Sequence, residues 1–195
     1  MTLTCRLYGL NLQELAETIG SADAVALAEL EERHASTLEE FERGLEPGTV
    51  RAALRRWFHE PIVQVGETVV GMSLALAFEI LCLDASQKAG APKGLRGDRP
   101  VPPISTMADD IEALDLEFDF DTLESRMTSR KTCGVVFQTR EVLVGHLSYL
   151  ELRRLRAAFK GLGRDELAEL PFFAALMPLV KLAVRHELDV VTISR

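Results

Sequence analysis

Residues 69–83 read VVGMSLALAFEILCL, an apolar run whose one charge is Glu79. Three structures can hold such a run: a membrane span, the spine of a soluble core, or a helix that carries a buried carboxylate to a site. A span needs roughly 20 predominantly apolar residues. This run is shorter, follows Glu67, encloses Glu79 and is followed by Asp84, and a carboxylate inside lipid is expensive. The sequence therefore predicts a buried helix over about residues 66–87, at the centre of a soluble fold. On that helix Glu79 has Ala75, Leu76, Cys82 and Leu83 as its neighbours three and four residues away. A bare buried carboxylate is costly. Glu79 must therefore meet an Arg, a Tyr or backbone amides, reach solvent at a helix edge, or face a pocket as an acid or base.

The chain on either side supplies the rest of the architecture. Upstream, residues 2–8 alternate Leu3, Cys5 and Leu7 against Thr2, Thr4 and Arg6, the pattern of a half-buried strand that Gly9 ends. Asn11 is positioned to cap a short helix that Gly20 closes, and Ser21 to cap a second over 22–35. Residues 36–44 suggest a further helical segment, and a helix from Thr49 is stopped by Pro61, which disfavours helix in the residue before it and lacks a donor. Downstream, residues 88–105 (KAGAPKGLRGDRPVPPIS) are rich in glycine and proline and predict a long, mobile loop. The acidic segment 109–124 follows. There Leu116, Phe118 and Phe120 alternate as in an edge strand, whereas Ile111 and Leu114 fit a helix, so both types stay open. A strand is expected over 132–139. Ser148 and Glu151 form a capping-box pattern opening a helix. A last helix over 171–186, bent at Pro178 and closed by His186, leads to a strand over 188–194. The simplest arrangement pairs the two terminal strands in one small sheet covered by helices: a mostly helical, single α+β domain.

Composition narrows the function classes. The chain has 195 residues, a net charge of −8, and 27% charged against 47% hydrophobic residues, a globular balance large enough to bury a core without disulfides. The acidic surplus argues against nucleic acid and anionic membranes, where cations must neutralise phosphates. Cys5, Cys82 and Cys133 are scattered, with no metal-ligand spacing, and read as buried thiols in a reducing cytoplasm. The start, MTLTCRLYGL, lacks the features of a signal peptide. No P-loop, GxGxxG, HExxH, GxSxG or kinase pattern occurs, and nothing implies a cofactor. The nearest phosphate-loop candidate, GAPKGLRGD at 90–98, lacks the strand–loop–helix setting such loops need.

Two groups of residues remain as candidates. Glu79 with His59 or His146 would form a pocket beneath the 88–105 loop. Arg55 and Arg56 beside the only tryptophan, Trp57, and the stripe Arg153, Arg154 and Arg156, form candidate interfaces, since arginine with an aromatic is enriched at binding hot spots. A helix end with Trp57 in the core and its arginines in water is the alternative for the first; pairing with the acidic segment is an alternative for the second.

The phrases LYGLNLQELAETIGS at 7–21, GHLSYLELRRLRAAF at 145–159 and LVKLAVRHELDVVTIS at 179–194 resemble the YfbM-like bacterial domains, a family of unknown function, and AFEILC at 77–82 is similar to an apolar helix ending in related actinobacterial proteins. The resemblance touches about half the chain and implies an α+β fold; it transfers no catalytic residue, and the acidic 109–124 segment departs from it. Together these readings favour a soluble, cytoplasmic, non-catalytic module that binds another protein, immunity- or antitoxin-like, against a basic partner, or that forms a homodimer. The alternative is a small-ligand-binding protein or enzyme with its pocket at Glu79.

Overall fold

The computed structural model describes residues 4–43, 45–66, 68–114, 116, 118–137, 139 and 141–195, excluding the side chain of Val69. The chain opens with strand β1 (Cys5–Leu10), then helices α1 (Leu12–Thr18), α2 (Ala24–Arg33), α3 (Ala35–Phe41) and α4 (Thr49–His59). Strand β2 (Gln64–Val65) leads to the long helix α5 (Val69–Lys88). Beyond residues 88–105 come α6 (Thr106–Glu112), α7 (Phe120–Thr128), β3 (Val136–Phe137) and β4 (Leu143–Leu147). The chain closes with α8 (Tyr149–Ala158), a 3₁₀ turn (Phe159–Gly161), α9 (Arg164–Ala168), α10 (Pro171–Arg185) and β5 (Asp189–Ser194).

The fold is α+β, and the two terminal strands share one antiparallel sheet in the order β1-β5-β4. Tyr8 lies opposite Val191, which in turn lies opposite His146. Thr4 and Arg195 exchange backbone hydrogen bonds of 3.0 and 3.1 Å and extend the pairing of β1 with β5. β2 and β3 form a separate parallel pair.

The sheet is buried on both faces. Alternate residues Tyr8, Leu10, Val144, Val191 and Ile193 join a core with α4 and α5. Their neighbours Cys5, Leu7, Leu147 and Val190 join a second core with α7, α8 and α10. This corrects the half-buried reading of the first strand: Tyr8 is as buried as Leu7, because helices cover both sides. Gly9 lies inside the strand rather than ending it. A side chain there would press on Leu95 and Leu188 at 3.1 Å.

The run that opened the sequence reading is α5. By length and composition alone it could cross a bilayer, but 72% of that apolar window is buried inside the protein. Residues 73–82 are buried without a break, so α5 is apolar on all sides because it is surrounded, as a central helix must be. Thr68 caps its start by accepting from Gly71 N at 2.9 Å.

Several local expectations are met in detail. Asn11 caps α1 through Gln13 N and Glu14 N. Ser148 and Glu151 form the expected capping box of α8. The second helix starts two residues later than expected, capped by Asp23 rather than Ser21. In the acidic segment the helical reading holds for Ile111, within α6, and Asp119 caps α7 at Phe120, so Phe118 and Phe120 form no strand. Asp115 and Glu117 lie outside the described residues. β3 is shorter than the expected 132–139 strand, and β4 has no counterpart in the sequence reading.

Residues 88–105, whose composition suggests a mobile loop, run along the outer edge of β1. Gly9 N donates to Leu95 O at 2.8 Å, Gly97 N to Leu7 O at 3.0 Å and Val101 N to Cys5 O at 2.9 Å. The segment thus satisfies the edge of the sheet that would otherwise be open to other chains.

Candidate functional site

Two of the cavities that charged groups line bear on the candidate residues. The first is centred on Glu79. Its carboxylate is 2% exposed. Tyr8 Oη donates to Oε1 at 2.6 Å and Arg195 Nε donates to Oε2 at 2.6 Å. Arg6 stands 3.5 Å from Oε1. The register explains the convergence: Arg6 and Tyr8 are two apart on one face of β1, and Arg195 pairs across from Thr4, so all three project onto α5. The Arg195 guanidinium also lies 4.7 Å from the centre of the Phe41 ring, a cation–π contact. Burial and then the Glu79 charge push the Tyr8 phenol far above its ordinary range, so it stays a donor.

A cavity of about 200 Å³ opens beside this cluster, lined by Arg6, Tyr8, Glu40, Glu79, Arg96 and Asp98 among others. Arg96, Gly97 and Asp98 belong to the 88–105 segment, which does lie over Glu79. Gly97, at φ +71°, packs so closely that a side chain would meet Tyr8 Oη at 2.3 Å. Neither His59 nor His146 lines this cavity. His59 is exposed at the end of α4. His146 sits on β4, its Nδ1 3.1 Å from Thr132 Oγ1. That hydroxyl already donates to Arg130 O at 3.0 Å, so Nδ1 carries the proton and donates. Burial, then the Arg130 charge, lowers the His146 pKa to about 4, so the ring is neutral.

The remaining polar clusters hold elements together. Asp84 on α5 is bound by Arg33, by His34 Nε2 at 3.2 Å and by Lys88 Nζ at 2.9 Å. Burial raises its pKa, but these three partners outweigh that and hold it well below the usual range. Asp189 accepts from Tyr149 N at 2.8 Å and Leu12 N at 3.4 Å, tying two helix starts to β5. Burial pushes the thiols of Cys5 and Cys133 up to about 11 and about 12, and Cys82 well above the ordinary range. Nucleophilic thiols need the opposite shift. Among the described residues no group of His, Cys, Asp or Glu is placed to hold a metal ion.

The first candidate interface takes the core form. Trp57 is fully buried and its indole N–H donates to Leu74 O at 2.8 Å. Arg55 pairs with Glu31 at 3.1 Å and Arg56 with Glu60 at 2.7 Å.

The second is different. Arg153 and Arg156 border a cavity of about 1000 Å³ between α8, α9 and α10. Lys160, Arg164 and Lys181 complete its rim, and Leu162, Leu167, Met177, Pro178 and Val184 contribute apolar surface. All five cations are exposed. Among the described residues no carboxylate lines the groove, and none of the five cations has a carboxylate within ion-pair distance. Arg153 lies over the Tyr149 ring, 5.7 Å from its centre. Arg154, also exposed, does not line the groove. The acidic residue that α8 itself uses, Glu151, is bound to Arg130 at 2.7 Å and Arg126 at 3.1 Å.

Sequence reading found the arginine stripe but not its companions. Lys160 and Arg164 continue the three- and four-residue steps of Arg153 and Arg156, whereas Lys181 lies on α10 and joins them only through the packing of α10 on α8 and α9. No protein-family model, curated protein or solved structure matches the chain. The likeness to the YfbM-like domains rests on the quoted sequence phrases alone.

Proposed function

We propose that this protein is a non-catalytic, cytoplasmic protein-binding module, immunity- or antitoxin-like, whose interface is the groove of α8, α9 and α10. The observation that carries this reading is five exposed cations around an apolar floor, with no ion pair to a carboxylate among the described residues, in a chain of net charge −8. Left to themselves, like charges on one patch repel, and an apolar floor gains by losing water. Both costs are relieved by a partner surface that is apolar at its centre and acidic at its rim. The expected charge relation to the partner is thereby reversed: the groove suits an acidic segment rather than a basic one. Support against a catalytic role comes from the engagement of Glu79 by Tyr8 and Arg195 and from the raised thiols.

The test is a pull-down from native lysate with the wild type and with the double variant Arg156→Glu, Lys181→Glu. Both residues are exposed, so the variant should melt with the wild type. The expected result is a partner at stoichiometric yield with the wild type and none with the variant. A partner retained equally by both, or no partner at low and moderate salt, sinks the reading.

A further inference from the structure

The lining of the groove formed by α8, α9 and α10 also bears on the conformation of its occupant. We infer that its occupant is an amphipathic, acidic α-helix of about three turns, an inference that rests on the protein-binding reading above. Three observations point there.

The first concerns hydrogen bonds. The charged side chains around the groove are Arg and Lys, which donate and never accept. An extended peptide lying on this floor would turn backbone N–H groups towards a surface without a side-chain acceptor, and each orphan is costly. Binding as an added strand would need a sheet edge to pair with, and the walls here are helices. A helix satisfies its own backbone and brings only side chains to the floor.

The second concerns size. On α10 the lining runs from Ala174 through Met177 and Lys181 to Val184, which at 1.5 Å per residue is about 15 Å of helix. A volume of about 1000 Å³ spread over that length gives a channel about 9 Å wide, close to the roughly 10 Å breadth of a helix with its side chains. Fifteen ångströms of helix holds about ten residues, or three turns.

The third concerns charge and surface type. Cations border an aliphatic floor, and Phe159, the one aromatic that contributes to the lining, is 6% exposed. Single-stranded nucleic acid would bring phosphates that suit the cations, but its bases need open aromatic faces for stacking. A helix with Leu or Met on one face and Glu on both flanks matches the floor and the rim together.

The experiment is fluorescence anisotropy with the full chain and four labelled probes. One is a Leu/Glu peptide of about four turns with Leu at helical spacing. The second has the same composition with Leu and Glu alternating. The third is the helical design with Lys in place of Glu. The last is an oligothymidylate of similar length. The helical acidic peptide should bind at least about tenfold more tightly than each of the others, a gap of about 1.4 kcal/mol. It should gain helicity by circular dichroism on binding, and lose at least about tenfold in affinity for Arg156→Glu, Lys181→Glu. Equal binding of the alternating peptide, lost in the double variant, overturns the helical inference while leaving the protein-binding reading intact. Tightest binding of the oligothymidylate overturns both. Failure of all four probes, or binding indifferent to the double variant, overturns the helical inference, and the pull-down then decides the reading it rests on.

Discussion

Glu79 shows how one side chain can be conspicuous in a sequence while its partners are not. Its isolation among apolar residues demands a compensating group. The demand fits a Tyr or an Arg, but no local pattern says which, because Tyr8 and Arg195 lie 71 and 116 residues away. They meet Glu79 through sheet register, which no local pattern encodes. The arrangement predicts a large cost for breaking the pair from one side. Replacing a buried pair wholesale can be neutral, but leaving one charge without its partner costs about 3 kcal/mol or more. Glu79→Gln is therefore expected to lower the urea unfolding free energy by about 3 kcal/mol, and Tyr8→Phe by about 2 kcal/mol, the loss of one hydrogen bond to a charged acceptor. A Glu79→Gln protein as stable as wild type would show that the contact does not hold α5 in place. His146 gives a residue-scale prediction in pH. Its folded pKa of about 4 lies below the ordinary histidine value of 6.5, so between those values the unfolded chain binds more protons than the folded one. Stability then rises with pH across this window and is lost as pH falls from about 6.5 towards 4. Arg130, Glu151 and Asp189 face the ring electrostatically; Arg130 opposes its protonation and the two carboxylates favour it. His146→Asn, which can keep a donor near Thr132, should flatten the pH dependence of the melting temperature in that window. An unchanged slope would assign the dependence to other groups.

At the scale of elements, the helices with strong caps were legible and the short strands were not. Asn11, Ser148 and Glu151 act where their chemistry says they should, because capping is decided within four residues. β4 was missed because its five residues include Gly145 and His146, which weaken the strand pattern. Gly145 is there for packing: a side chain would strike Arg126 O at 2.1 Å, where α7 crosses the sheet. The acidic segment does structural work that its charge alone does not announce. Two of its aspartates are caps: Asp119 for α7, and Asp110, which serves α10 from another element. Asp110 is 3% exposed and accepts from Phe172 N at 2.9 Å and Phe173 N at 3.1 Å, while Leu170, at the cap position itself, offers no side-chain bond. Asp110→Ala orphans two buried N–H groups and should cost about 2–4 kcal/mol, whereas Asp110→Asn keeps one acceptor and should cost about 1 kcal/mol. The comparison is read from denaturant midpoints. Equal losses in the two variants would mean that the negative charge, which both lose, and not the acceptor that Asn keeps, sets the cost.

For the whole molecule, the sequence made the α+β class and the pairing of the terminal strands readable, since both ends alternate and the middle is helical. It did not reveal that the sheet separates two cores, one with α4 and α5 and one with α8 and α10. That layering sets the two cavities on opposite faces of the sheet: the Glu79 cluster rests on one face of β1 and β5, and α8 and α10, which form walls of the groove, pack on the other. Each strand contributes alternate residues to both cores, so neither core can lose the sheet and survive. The chain is therefore expected to unfold in one cooperative step. Leu176 is fully buried in the core of α8 and α10, and Leu176→Ala should cost about 2–5 kcal/mol. The only tryptophan, Trp57, lies in the other core, packed against Phe78 and Phe137. If the sheet couples the cores, Trp57 fluorescence and far-ultraviolet circular dichroism in the Leu176→Ala protein will move to lower denaturant together. A fluorescence midpoint that stays at the wild-type position while the dichroism shifts would show that the two cores unfold separately.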